Sequence, residues 1–196
     1  MLKLVTSVAF TLLVPLTAHG QGIPGLRGPD HFGLTVPDQQ QALTFFTEVI
    51  GCKAYYTIGP FKFDNEWMKD NLNVHPRTEL WKATMLRCAY GTNIELLDYR
   101  PPERNAVQPR NSDIGGHHIG FLVDDINAAV AYLKGKGVQV LGEPKTVTRG
   151  PTAGKTWVYF LAPWGTQLEI AQYPNGLAYE KDVDGAALWS PAKPAE

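Results

Sequence analysis

The chain repeats itself once. The segment from His31 to Phe46 aligns with that from His118 to Leu133, keeping His, Gly, Val, Asp and Ala in register. The segment from Tyr90 to Tyr99 aligns in turn with that from Trp164 to Tyr173, sharing Gly-Thr, an internal Glu and the closing Tyr. The spacing between copies falls from 87 to 74 residues along the way, so the first copy carries thirteen extra residues between Cys52 and Trp81. A chain built this way folds as two versions of one small unit, each of which buries its apolar face only by packing on something else.

Within a copy the pattern reads strand, helix, then three strands. Asp38 and Asp125 stand where a helix begins, because a carboxylate there accepts the unpaired N–H groups of the first turn. Ala42, Leu43, Phe46 and Ile50 then share one helical face, as Ala129, Val130 and Leu133 do in the second copy. Gly51 and Gly137 end the helices. Short strand-like runs follow at 53–58, 81–89 and 92–99, and again at 138–141, 156–161 and 166–173. The expected fold is α+β, with two tandem βαβββ modules forming a curved antiparallel sheet around a shared cleft. Module one spans 28–99, a Pro/Gly-rich linker spans 100–115, and module two spans 116–173. The tail, 174–196, keeps Tyr179, Leu188 and Trp189 in a polar stretch and is expected to dock on the domain formed by 21–173.

The first twenty residues differ in kind. Lys3 precedes an uncharged run from Leu4 to Leu16, and Ala18-His19-Gly20 supplies the small residues of a cleavage site, which reads as a secretory signal over 1–20. The run contains Pro15 and is too short to span a bilayer. The mature protein is therefore expected to be secreted or periplasmic, with no membrane partner after cleavage. Its two cysteines, Cys52 and Cys88, fall near adjacent ends of neighbouring strands and are candidates for a disulfide in an oxidising compartment. Eighteen basic and nineteen acidic residues give a net charge of −1, with no basic block. Nucleic acid is excluded as a partner, since nothing could track a phosphate backbone. Hydrophobic residues at 44% and charged residues at 19% support a folded core.

The repeat also selects the chemistry. His31 and His118 head the first strand of each copy, while Glu95 and Glu169 sit inside the last, flanked by Ile and Leu. Burying an ionised carboxylate among such neighbours is costly unless a cation compensates it. Two imidazoles and two carboxylates from equivalent positions make a metal site of nitrogen and oxygen donors, suited to one divalent ion among Ni, Co, Mn, Fe and Zn. His117, next to His118, faces the other side of the strand. His75 lies in the longer middle of copy one, without a counterpart. The aromatic insertion from Phe61 to Arg77 either lids the cleft or packs on the module surface. The loop from Gly150 to Lys155 lacks the spacing of a phosphate-binding loop.

The repeated unit, His31-Phe-Gly-Leu-Thr-Val, His118-Ile-Gly-Phe-Leu-Val-Asp-Asp and Gly165-Thr-Gln-Leu-Glu-Ile resemble the vicinal oxygen chelate superfamily. That superfamily includes glyoxalase I, methylmalonyl-CoA epimerase, extradiol dioxygenases and the bleomycin and fosfomycin resistance proteins. The resemblance implies metal ligands at His31, Glu95, His118 and Glu169. Four ligands on an octahedral ion leave two adjacent positions, enough for a small substrate with two neighbouring oxygens. The implied activity is glyoxalase-like, a lyase or isomerase in which the ion acts as a Lewis acid and Glu95 or Glu169 is the catalytic base. An extradiol-type dioxygenase and a non-catalytic binding protein of the bleomycin-resistance kind are the alternatives. Export, and the lack of a basic pair near His31, point away from glutathione and acyl-CoA substrates. Homodimers are common in the family, with modules exchanged or side by side.

Overall fold

The computed structural model describes residues 23–182 and 188–194, so the expected leader at 1–20 lies outside the described residues. Module one runs β1 (His31–Thr35), α1 (Gln39–Thr44) continuing as a π-helical turn (Phe45–Ile50), β2 (Lys53–Ile58), α2 (Trp67–Leu72), β3 (Glu79–Arg87) and β4 (Asn93–Arg100). Module two runs β5 (Ile119–Leu122), α3 (Ile126–Gly135), β6 (Gln139–Thr146), β7 (Thr156–Leu161) and β8 (Gln167–Gln172). The helices start where the acids stand. Asp38 accepts from the Gln41 N–H at 2.7 Å, and Asp125 accepts from the N–H groups of Asn127 and Ala128. Gly51 and Gly137 follow them with φ of 87° and 74°, a left-handed turn that costs a residue with a Cβ about 1 kcal/mol or more.

Each module forms a four-stranded sheet, ordered β1-β4-β3-β2 and β5-β8-β7-β6. The sheets are mixed rather than antiparallel throughout, because β1 pairs with β4, and β5 with β8, in parallel. The reason is topological. The helix carries the chain across the sheet, so β2 enters in the same direction as β1. Two antiparallel reversals later β4 points that way again, and it closes beside β1.

One apolar core joins the two modules. Leu34, Phe46, Leu86, Ile94 and Leu96 from the first are continuous with Val130, Leu133, Val158, Phe160 and Leu168 from the second. Trp164 presents its ring edge-on to Phe45 at 5.7 Å, and the Tyr132 hydroxyl reaches the Val49 carbonyl at 3.1 Å. Side chains alternate along a strand, so this core decides what the opposite faces carry. In β4, Ile94 and Leu96 point into the core and Glu95 points away; in β8, Leu168 and Ile170 point in and Glu169 away.

The extra residues of copy one connect β2 to β3 and include α2. Its one buried residue, Met68, packs with Leu80, Ala83, Leu97 and Tyr99. Leu97 and Tyr99 share the Glu95 face of β4, so the insertion covers one end of that face, while Phe61, Phe63 and Trp67 remain partly exposed. Cys52 and Cys88 are joined in a disulfide that ties the start of β2 to the end of β3. The described parts of the tail touch both modules: the N–H groups of Ala178 and Tyr179 donate to the carbonyls of Ala153 and Pro151, Tyr173 shares a 2.9 Å hydrogen bond with Ser190, and the Trp189 ring stands against Gly91 of module one.

Candidate metal centre

The four residues singled out by the repeat form two His–Glu pairs. Nε2 of His31 stands 3.5 Å from Oε2 of Glu95, and Nε2 of His118 stands 3.2 Å from Oε2 of Glu169. Strand register makes the pairs equivalent: Gly33 sits opposite Glu95 on the β1/β4 ladder as Gly120 sits opposite Glu169 on β5/β8. His31 and His118 each stand two residues before that glycine, on the same face as the glutamate.

The other imidazole nitrogens are also engaged. Nδ1 of His31 lies 2.8 Å from Oδ2 of Asp30, and Nδ1 of His118 lies 3.1 Å from Oδ1 of Asn111. Both partners are acceptors, so each ring places a proton on Nδ1 and, when neutral, turns an Nε2 lone pair toward a carboxylate. Two lone-pair donors facing each other call for a cation between them or a proton on the ring. The arrangement fits a divalent ion: adjacent donors about 2.1 Å from a shared ion stand about 3 Å apart, and the outward hydrogen bond is the usual means of orienting a metal-bound histidine. The Asp30 hydrogen bond is the main reason that His31 binds a proton above its ordinary value of 6.5; burial works against it, and the charges of Glu95 and Asp30 add to it.

The pairs differ in their surroundings. Glu169 is buried, and Nζ of Lys155 lies 2.5 Å from its second oxygen. Tyr159, its partner on the β7/β8 ladder, places its ring edge-on to His118 at 5.1 Å. Glu95 is half-buried, faces Met85 on the β3/β4 ladder and has His31 as its ion-pair partner. Tyr99 ionises above its ordinary range, chiefly through burial and then through the charge of Glu95.

In a single chain the four residues do not make one cluster. Among the described residues, no three His, Cys, Asp or Glu stand close enough to hold one ion. The shared core accounts for this: it occupies the inner face of both sheets and leaves each pair on an outer one. His117 turns away from His118 and donates from Nδ1 to the Gly115 carbonyl at 3.0 Å. His75 accepts the Arg77 N–H. Sequence reasoning missed Lys155, Asp30 and Asn111. Asp30 adjoins His31 and could have been noticed, whereas Asn111 lies in the linker and Lys155 at the end of a glycine-rich loop, with no repeat partner of like chemistry.

Known proteins share this architecture. The sequence model of the Glyoxalase/Bleomycin resistance protein/Dioxygenase superfamily matches residues 28–170. A 2-epi-5-epi-valiolone epimerase from Actinomyces sp. is 45% identical over 166 residues, spanning 84% of this chain and 90% of its own. An uncharacterised protein, YaeR, from Escherichia coli K12 is 28% identical over 148 residues, spanning 74% of this chain and 96% of its own. The crystal structure of a glyoxalase family protein from Bacillus cereus superposes with a TM-score of 0.58 at 21% identity, over 75% of this chain and 94% of that one. With the repeat, the two mixed sheets and the superfamily match in agreement, the chain belongs to the Glyoxalase/Bleomycin resistance protein/Dioxygenase superfamily.

Proposed function

We propose that this protein is an exported, metal-dependent carbon epimerase for a small ketone bearing a second oxygen on the neighbouring carbon. The observation that carries the reading is the twofold one above, in which an oriented Nε2 lone pair meets a carboxylate at equivalent places in both modules. The relative that is 45% identical is named for inverting a stereocentre, and its name ends as a ketone's does. Inverting a carbon without a redox step requires removing its proton, which is feasible next to a carbonyl. A leader and a disulfide suit an oxidising compartment.

His31, Glu95, His118 and Glu169 would hold the ion, which supplies Lewis acidity to the carbonyl oxygen. The two carboxylates divide the remaining work according to their surroundings. Glu169, held by His118 and Lys155, stays in place as a ligand. Glu95 has one ion-pair partner and a partly open side chain, so it is the carboxylate free to take the proton from the carbon beside the carbonyl. Inversion returns a proton to the opposite face, and Lys155, an ammonium on the other module, is the group that delivers it. Because each chain presents two half-sites, a second copy brings module one of one chain to module two of the other.

The test uses the mature protein purified without chelator or affinity metal, with 2-epi-5-epi-valiolone in D₂O followed by NMR. We expect about one bound metal per complete site, lost in His118→Ala, and exchange of one carbon-bound proton that stops on chelation. Full activity in metal-free protein overturns the metal assignment. Absence of exchange in metal-loaded protein overturns the epimerase.

A further inference from the structure

The insertion at 59–78, which module two lacks, and the linker after β4 border a cavity of about 650 Å³ along the edge strand β1, whose wall also takes in His117 and Trp164 of module two. That size lies within the ~300–1,000 Å³ usual for small-ligand sites. Its wall includes Gly33, the ladder partner of Glu95, together with Thr35 and Tyr99. Gly33, Thr35 and Tyr99 share the strand face of His31 and Glu95, so the cavity begins beside that pair, which is not itself in its wall, and runs toward the linker.

The far wall is polar and incompletely paired. Thr78 is fully buried, yet its hydroxyl has no hydrogen-bond partner among the described residues. A buried hydroxyl left in that state costs about 1–3 kcal/mol, which a structure tolerates where a ligand completes the bond. Two histidines line the same space with complementary free nitrogens. His75 accepts the Arg77 N–H at Nδ1, which places its own proton on Nε2 as a donor. His117 donates from Nδ1 to Gly115, which leaves its Nε2 as an acceptor. The wall's one arginine is already committed: Arg104 donates to the Pro37 carbonyl at 3.1 Å and lies 3.6 Å from Asp98. Glu103 is the one acidic side chain in the wall. The cavity therefore offers hydroxyl-scale donors and acceptors without a free cation for a phosphate or carboxylate.

We propose that this cavity binds the uncharged, hydroxyl-bearing part of the substrate, with Thr78, His75 and His117 reading hydroxyl groups remote from the reacting carbon. The substrate class is then a neutral polyhydroxylated ketone. The reaction assigned to it rests on the epimerase reading, whereas the binding site does not. Specificity thereby rests on the insertion of module one together with His117 at the start of module two.

Two probes separate recognition from chemistry: 2-epi-5-epi-valiolone, and 2-hydroxycyclohexanone, which keeps only the adjacent oxygens. Thr78→Val preserves shape and removes the hydroxyl. We expect KM for the first probe to rise about three- to ten-fold with kcat little changed, the second probe to be unaffected, and the melting temperature to stay level or rise. His75→Leu is expected to act the same way on KM, so the result does not hang on one variant. Equal effects on both probes, or none on either, overturn the proposal. If wild-type protein exchanges neither probe, the epimerase reading fails by itself. Calorimetric binding of the polyhydroxylated probe then decides the cavity: weaker binding in Thr78→Val supports it, and unchanged or undetectable binding overturns it.

Discussion

His31 and Lys155 are where single side chains would set the behaviour of the proposed centre. A proton on His31 competes with a metal for Nε2, and its hydrogen bond to Asp30 strengthens the proton's hold. As pH falls through that raised value, protonation would displace a bound ion. Asp30→Asn is therefore expected to lower the pH at which the ring takes up its proton in the metal-free protein, while weakening metal affinity at pH 8 about ten-fold because the ring is no longer oriented. NMR titration of the imidazole and metal titration at pH 8 check the two parts separately. Lys155 acts on the other half-site. With its ammonium replaced in Lys155→Met, the buried Glu169 loses a charged partner, and stability without metal is expected to fall by about 1–3 kcal/mol. Exchange of the substrate proton should persist in that variant while inversion slows at least ten-fold. NMR that follows deuterium incorporation and product formation together separates the two steps, and a parallel loss of both would remove Lys155 from the proton path.

The elements most open to test are those peculiar to module one. Helix α2 is too short to be stable by itself and is held by Met68, its one buried residue. Met68→Ala is expected to cost about 2–5 kcal/mol and to expose the 59–78 connection to proteases before the rest of the molecule, as limited proteolysis followed by mass spectrometry would show. The Cys52–Cys88 bridge closes a loop that contains this same connection, with a sequence separation of 36 residues. Its removal in a double Cys→Ala variant is expected to lower stability by about 3–4 kcal/mol, read as a lower urea midpoint, because the unfolded chain regains the freedom of that loop. Both effects converge on the cavity wall, since Thr78 lies just before β3.

At the scale of the whole molecule, the two half-sites make a prediction about assembly. His31→Ala damages module one and His118→Ala damages module two. If a complete centre combines module one of one chain with module two of another, mixing the two inactive variants produces heterodimers with one intact centre. Activity should recover to about a quarter of wild type after subunit exchange, the share expected for random two-fold pairing. Centres completed within a chain would show no recovery. Size-exclusion chromatography with light scattering, run on the same mixtures, reports the assembly independently of turnover.

Much of the fold was legible in the residues because its determinants are local and appear twice. Asp38 and Asp125 mark helix starts by capping, Gly51 and Gly137 mark the ends by their φ angles, and alternation along 92–99 and 166–173 places Glu95 and Glu169 on the face opposite Ile and Leu. The pairing of His31 with Glu95, and of His118 with Glu169, follows from the same register. What the repeat could not carry is whatever lacks a counterpart in the other copy. Lys155 reaches Glu169 from a loop, Asn111 orients His118 from the linker, and Thr78 is enclosed by two segments distant in sequence. The parallel closure of β1 on β4 and the separation of the two pairs likewise depend on how strands and modules meet. The residues by themselves determined the unit, its duplication and the recurrence of a His and a Glu in each copy, since these rest on contacts between near neighbours. Only the tertiary structure decided which face of each sheet the common core would occupy, and with it where the His–Glu pairs lie, because that depends on long-range packing of Phe45, Phe46 and Trp164.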